Sequence, residues 1–313
     1  SNRVQALRPH SASCVENAIG TAPGLRARKD ATEIYVMPGV PREMAAMFTR
    51  SFLPAIRAAQ EKNTGTNGAT TLVTRINTFG LGESVLGERI RDLMTRGGNP
   101  SVGTTVQDGI VAVRIYATGT PPEAAAMTDR ARALIEERLG SDVGGLIFGE
   151  NDETLEAALA RLLIDARHSL ATAESCTGGL LAMLLTSTPG SSAYFRRGWV
   201  TYTNAAKHDE LNVSNELLQT HGAVSEAVVR AMAENARKFG HADFALATTG
   251  IAGPDGGSDA NPVGTVWIAL ASPEGTDARR FIFPGDRAGI RLRASQMALA
   301  LLRWKLLGIT PAI

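Results

Sequence analysis

The sequence predicts an α/β protein: a C-terminal α/β/α domain with a mixed sheet, preceded by a small α+β domain and a partial α/β domain. Three observations predict it. Residues 152–313 alternate helix-period apolar patterns with short buried-strand runs, as helices covering a sheet do. Within them, "TVWIALASPEGTDARRFIFPG" reads as a hairpin around Pro273–Gly275, which makes the sheet mixed. Residues 71–145 run strand, helix, strand, helix between two polar, Gly-containing breaks, the pattern of a small α+β module.

The elements follow in order. Segment 1–66 holds "ENAIGTAPGL", a strand in "EIYVMPGVP" and a helix from about Arg42 to Ala58; "AAQEKNTGTNGATT" then reads as a linker. Segment 67–148 runs strand, "FGLGES", helix, a turn "TRGGNPSVGTT", strand "IVAVRIYAT" and a helix from about Pro122 to Leu139. The second break is "GSDVGGLIFGEND". Segment 149–313 opens with a helix over 152–166, where Leu155, Ala158, Leu159, Leu162 and Leu163 share one face. Strand "SLATAES" meets Gly178–Gly179 and a helix over 178–187; "FRRGWVTYTN" is a further strand. Ser225 caps a helix over 225–238, and "ADFALATTG" is a buried strand ended by the loop "IAGPDGGSDANPVG". Asp286 caps a long, amphipathic closing helix over 287–307.

Composition excludes several classes. Apolar content of 44% with 20% charged residues fits a soluble globular protein, and the apolar runs stop well short of the roughly 18 residues a membrane span needs. The opening "SNRVQALRPH" is polar, so no secretory segment is expected, and the cytoplasm is the expected compartment. Two distant cysteines, Cys14 and Cys176, exclude a disulfide framework and a cysteine zinc site and suit a reducing compartment. A net charge of +1 with mixed signs leaves no electrostatic footprint for nucleic acid. No cofactor is expected. Asp255 and Asp259 lack the further ligands a metal needs.

Chemistry concentrates in "TAESCTGGLLAMLLTS", where Glu174, Ser175, Cys176 and Thr177 precede an apolar helix. The stretch is either a polar helix N-terminus or a nucleophile mounted on a turn. A serine needs a base. His168 and His241 lie in polar turns, and neither His208 nor His221 is better placed. Lysine is the other base, if its pKa falls. In "WVTYTNAAK" a strand delivers Tyr202, Asn204 caps the next helix, and Lys207 falls in the first turn, where the helix dipole disfavours a cation. A surface lysine is the competing reading. Gly178–Gly179 open a helix whose free N–H groups suit an anion or oxyanion, and "ATTGIAGPDGGS", with Thr248, Thr249 and Gly250, is a second such turn. Both also read as ordinary connections. Arg287 at a helix start suits a phosphate, whereas Arg291 and Arg293 read as an exposed charged face.

Taken together, "AESCTGG", "GSSAYFRRGWVTYTNAAK", "HGAVSE", "TTGIAGPDGG", "PVGTVWIA" and "FPGDR" resemble the C-terminal domain of the CinA family, the nicotinamide-nucleotide amidase of bacteria, over essentially all of 150–313. The resemblance implies hydrolysis of the carboxamide of nicotinamide mononucleotide to nicotinate mononucleotide and ammonia, in a homodimer. It implies Ser175 as nucleophile, Lys207 as base, Tyr202 and Thr249 as supporting groups, Arg287 on the substrate phosphate and Ser192 lining the pocket. Thr177, Gly178 and Gly250 join the expected substrate-binding set through the two turns. A thiol amidase using Cys176 and a non-catalytic nucleotide-binding scaffold are the competing readings. "ENAIGTAPGL" and "MPGVPREM" resemble the end of the family's N-terminal molybdopterin-binding-like domain, and "NTFGLGES" the start of its KH-like domain. Asn17 and Glu43 then belong to a site lacking its other half, so that domain's ADP-ribose pyrophosphatase activity is not carried over. The middle module has neither a clear GxxG loop nor a basic face, so RNA binding is not expected.

Overall fold

The computed structural model describes residues 8–63, 69–139 and 145–310; residues 64–68 and 140–144 of the two expected breaks lie outside it. The chain forms two compact units, Ser1–Thr70 and Thr71–Ile313.

In the first unit, β1 (Ser13–Val15), β2 (Gly24–Lys29) and β3 (Thr32–Val36) form an antiparallel sheet in that order. Only β3 is legible in the sequence, because β2 is the charged run GLRARK. The expected helix starts with Pro41 at its first turn, as α1 (Pro41–Met47), widens through a π-helical turn at Phe48–Phe52 and continues as α2 (Leu53–Asn63). Phe52 packs on Tyr35 with ring centroids 5.2 Å apart. Asn17 and Glu43 do meet: Asn17 Nδ2 donates to Glu43 Oε2 at 2.7 Å.

The second unit begins with a four-stranded sheet of order β5-β6-β4-β7, comprising β4 (Thr70–Thr78), β5 (Ser101–Gln107), β6 (Ile110–Gly119) and β7 (Ile147–Glu150). Between β4 and β5 lies α3 (Glu83–Arg89). After β6, α4 (Pro121–Leu139) buries Ala124, Thr128, Ala131, Ile135 and Leu139, spaced as one helical face. Two expectations change. The segment "TRGGNPSVGTT" is a turn only in its first half; Ser101 onward is β5. It joins β6 through Asp108–Gly109, both at positive φ (52° and 82°), the two-residue hairpin that an Asp-Gly pair favours. The break "GSDVGGLIFGEND" ends in β7, which pairs antiparallel with β4 and buries Phe148.

The remaining residues build a five-stranded mixed sheet of order β12-β11-β10-β8-β9. Its strands are β8 (Leu170–Glu174), β9 (Phe195–Val200), β10 (Phe244–Gly250), β11 (Thr265–Ser272) and β12 (Gly275–Ile282), with the expected hairpin joining the last two. Strand β8 runs parallel to β9 and β10; β11 and β12 are antiparallel. Alternation separates the two faces. Ala171, Ala173, Ala245, Ala247, Ala269 and Ala271 lie on one face, with α7 (Asn204–Leu211), α8 (Asn215–His221) and α9 (Glu226–Phe239). Their small side chains let α9 lie close, with Val228, Val229, Met232, Ala233 and Ala236 buried. Leu170, Leu246, Ile268 and Leu270 lie on the other face, with α5 (Leu155–Asp165), α6 (Leu180–Ser187) and α10 (Arg287–Leu306). Side chains cap these helices: Thr154 on α5, Ser214 on α8, Ser225 on α9 and Asp286 on α10.

The closing helix is not amphipathic. Every residue of α10 from Ala294 through Trp304 is buried. The helix lies between its own sheet and the middle sheet, whose Ile76, Val111 and Phe148 share one apolar core with Leu299 and Trp304. Trp304 Nε1 donates to the Gly145 carbonyl at 2.9 Å, and Arg303 to that of Ile147 at 2.8 Å. A helix buried all round loses the one-sided pattern that sequence periodicity detects.

Candidate active site

The three parallel strands end in register, Glu174 standing opposite both Val200 and Thr248. Beyond that line the chain supplies Ser175 from β8, Tyr202 from β9, and Thr249–Gly250 from β10. Ligands of open α/β sheets collect at such strand ends. A cavity of about 260 Å³ lies there, lined among others by Ser175, Cys176, Tyr202, Lys207, Thr249, Gly250 and Arg287.

Lys207 is brought in by α7. The cap of this helix is Thr203, whose hydroxyl accepts from the Ala206 N–H at 3.1 Å; the expected cap, Asn204, is one residue inside. Lys207 Nζ lies 2.9 Å from Ser175 Oγ and donates to the Thr201 carbonyl at 2.9 Å. The side chain is only 1% exposed, with no carboxylate within ion-pair distance among the described residues. Burial therefore penalises the ammonium, and its pKa falls to about 8. The expected depression is present, and its cause is burial of the amine.

Cys176, next in the chain, is 5% exposed and joins the apolar core; burial pushes its thiol up to about 12. A thiol held neutral is a poor nucleophile, and the lysine is hydrogen-bonded to the serine beside it. None of the four histidines of this domain lines the cavity.

Glu174 answers what the polar residues before α6 do. It is fully buried, and its carboxylate accepts from the N–H groups of Gly179 (2.9 Å), Leu181 (3.0 Å) and Ala182 (2.8 Å). The Gly178 and Leu180 N–H groups donate to the carbonyls of Ser175 and Thr177. The α6 N-terminus is thus filled by the protein's own anion, which corrects the expectation that it holds a ligand. Gly178 and Gly179 stand at positive φ (60° and 91°) to turn the chain back over that carboxylate. Glu174→Ala is expected to destabilise the protein by about 3 kcal/mol or more, since three buried donors lose a charged acceptor; urea unfolding monitored by circular dichroism measures this.

Three expected site residues lie elsewhere. Thr177 points into the core, its Oγ1 2.7 Å from that of Thr248. Gly178 serves the turn and does not line the cavity. Ser192 is exposed in a 3-10 turn before β9, at the opposite end of the sheet from Ser175. It precedes a parallel strand, whereas the site follows one. Thr249 lines the cavity, with its hydroxyl donating to the Ala223 carbonyl at 2.8 Å. Gly250 tolerates no side chain, because an added Cβ would meet the Thr265 carbonyl oxygen at 2.5 Å.

Arg287 donates to the Tyr202 hydroxyl at 2.6 Å and to the Gly253 carbonyl at 2.8 Å, which ties together the strand end, the Gly-rich loop and the start of α10. Arg291 does not form an exposed face; its guanidinium grips the Thr177 carbonyl at 2.7 and 3.1 Å. Arg293 donates to the Pro284 carbonyl. Asn204, Ala223 and Asp255 also line the cavity and were missed in that role. Asn204 reads as a cap and Asp255 as half of a metal pair, while Ala223 contributes no side-chain signal at all. Among the described residues no group of three or more His, Cys, Asp or Glu is placed to hold a metal ion, and no helix is long and apolar enough to cross a membrane.

Fold and site together define a mixed α/β/α domain with a buried serine–lysine pair at its strand ends, packed against a small α+β module. Residues 152–306 match the CinA C-terminal domain family, and residues 74–145 the KH domain of damage-inducible protein CinA. A CinA-like protein of Geobacter sulfurreducens is 42% identical over 98% of this chain and 72% of its own length. A CinA-like protein of Geotalea uraniireducens is 40% identical over 100% of this chain and 72% of its own. The crystal structure of competence damage-inducible protein A from Klebsiella pneumoniae is 42% identical, with a TM-score of 0.48, and covers 49% of this chain and 95% of its own. The chain belongs to the CinA family.

Proposed function

We propose that the C-terminal domain is a serine amidohydrolase that converts nicotinamide mononucleotide to nicotinate mononucleotide and ammonia. The observation that carries this reading is the 2.9 Å approach of Lys207 Nζ to Ser175 Oγ inside the cleft. Nucleophile and base must lie within about 2.6–3.2 Å, and an amine that is partly neutral near pH 8 can take the hydroxyl proton.

In this mechanism neutral Lys207 removes the Ser175 proton as Oγ attacks the carboxamide carbon. The negative charge that forms on the amide oxygen needs N–H donors. The Cys176 N–H, next to the nucleophile in the cleft lining, is the donor this reading assigns to it. The lysine returns its proton to departing ammonia, leaving an ester on Ser175. Water, deprotonated by the same amine, cleaves that ester and releases the acid.

Substrate choice follows from the mouth of the cleft. Arg287 uses guanidinium N–H groups on Tyr202 and Gly253, and a guanidinium has five, so donors remain for a phosphate. Arg287→Ala is expected to raise KM for nicotinamide mononucleotide by roughly tenfold to a hundredfold, the cost of one charge-assisted contact. Its effect on nicotinamide riboside, which lacks the phosphate, is expected to be much smaller. Initial rates of ammonia release on both substrates test the assignment; equal losses on the two remove the phosphate role.

A further inference from the structure

Among the described residues that line the cleft at Ser175, Asp255 alone carries a carboxylate, and the mechanism gives it no part. It is exposed, and it forms no ion pair or side-chain hydrogen bond with any described residue. The loop that carries it, after β10, is held at several points. The Ile251 N–H donates to the Thr265 carbonyl at 2.8 Å, and the Ile251 carbonyl accepts from the Gly264 N–H at 2.8 Å. The Gly253 carbonyl accepts from Arg287 at 2.8 Å. Gly253 and Gly257 pack against Val263, where an added Cβ would meet its Cγ1 at 2.6 Å and its backbone nitrogen at 3.0 Å. Positive φ at Gly253 and Gly256 (76° and 89°) bends the chain on either side of Pro254 and Asp255. A fixed backbone therefore presents a carboxylate whose acceptors are open to whatever enters the cleft.

An open carboxylate selects for donors and against anions. On the amidase reading, on which this inference rests, the carboxamide lies at Ser175 and the phosphate at Arg287. Arg287 is tied to the loop two residues from Asp255, so the carboxylate stands toward the phosphate end of the substrate. The donors next to that end are those of the ribose. Its 2′- and 3′-hydroxyls are adjacent O–H groups, and one carboxylate has an oxygen for each.

We propose that Asp255 accepts hydrogen bonds from the 2′- and 3′-hydroxyls of the substrate's ribose and makes the cleft selective for ribonucleotides over 2′-deoxyribonucleotides.

Isothermal titration of the full chain carrying Ser175→Ala, which does not turn substrate over, compares nicotinamide mononucleotide with its 2′-deoxy analogue, with and without Asp255→Ala. Expected is binding of the ribonucleotide about tenfold tighter than of the deoxy analogue, the scale of one hydrogen bond to a charged acceptor. Asp255→Ala is expected to bring that ratio to within about twofold of one without lowering Tm, whereas a residue that only shapes the loop would weaken both ligands alike. Reduced nicotinamide mononucleotide, whose ring is uncharged, is expected to lose as much from Asp255→Ala as the oxidised form. The proposal is overturned if neither nucleotide binds, if the two bind equally well, if Asp255→Ala leaves their ratio unchanged, or if its effect vanishes with the reduced ring, which would put the carboxylate on the pyridinium. The amidase reading is scored separately, by ammonia release from the chain with Ser175 intact. A ribose preference without ammonia release removes that reading and keeps Asp255 as the ribose ligand; ammonia release without the preference removes this proposal alone.

Discussion

Ser175→Ala is expected to lower kcat for ammonia release from nicotinamide mononucleotide by roughly ten-thousandfold or more, leaving KM within a few-fold. The hydroxyl is the atom that bonds to the substrate, and no neighbouring group replaces it. Cys176, its chain neighbour, is buried with its thiol pushed up to about 12, so it stays protonated at any working pH. Cys176→Ala is therefore expected to keep most of the activity. Steady-state ammonia assays on the two variants decide between the hydroxyl and the thiol. A dead Cys176→Ala beside an active Ser175→Ala would reverse the assignment. Tight nucleotide binding by a wild type that releases no ammonia would make the domain a binding module.

Lys207→Met is expected to cost roughly a thousandfold in kcat/KM, the scale of a lost general base. The double variant with Ser175→Ala should be no worse than the serine variant alone, since the two groups act as a unit. In the wild type, the base works only as the neutral amine. With a pKa of about 8, kcat/KM is expected to climb about tenfold per pH unit below 8 and to level off above it. Lys207→Met should show no such limb.

The same shift has a stability consequence whose sign runs opposite to the usual paired lysine. The folded pKa, about 8, lies below the ordinary 10.5, so between these values the unfolded chain binds more protons than the folded one. Stability contributed by this group rises with pH across that window, by about 3 kcal/mol in all. At pH 7 the folded protein carries the cost of a buried ammonium, and Lys207→Met removes it. Urea unfolding at pH 7 is expected to show the variant at least as stable as the wild type. A marked loss of stability would mean that the hydrogen bonds to Ser175 and the Thr201 carbonyl outweigh desolvation.

The elements were legible where the apolar pattern was strong or a cap was explicit. The unbroken buried run in "ADFALATTG", the serine before α9, the aspartate before α10 and the Pro-Glu hairpin all act within a few residues of sequence. Strands β2, β5 and β7 were not legible, because charge, glycine and brevity hid their period until a neighbour paired with them.

What the sequence by itself determined is the order of helices and strands in the C-terminal domain and the short polar turns that carry Ser175, Lys207, Thr249 and Arg287. Those are local matters of periodicity, capping and turn chemistry. Only the tertiary structure decided which of them meet. The parallel register of β8, β9 and β10 brings the serine and the lysine together at one end of the sheet and leaves Ser192 at the other. It also buries Glu174 under the α6 N-terminus, where the sequence had pointed to a ligand. Burial is a property of the assembled core rather than of any spacing along the chain, and here burial lowers the lysine's pKa, raises the cysteine's and closes the helix end.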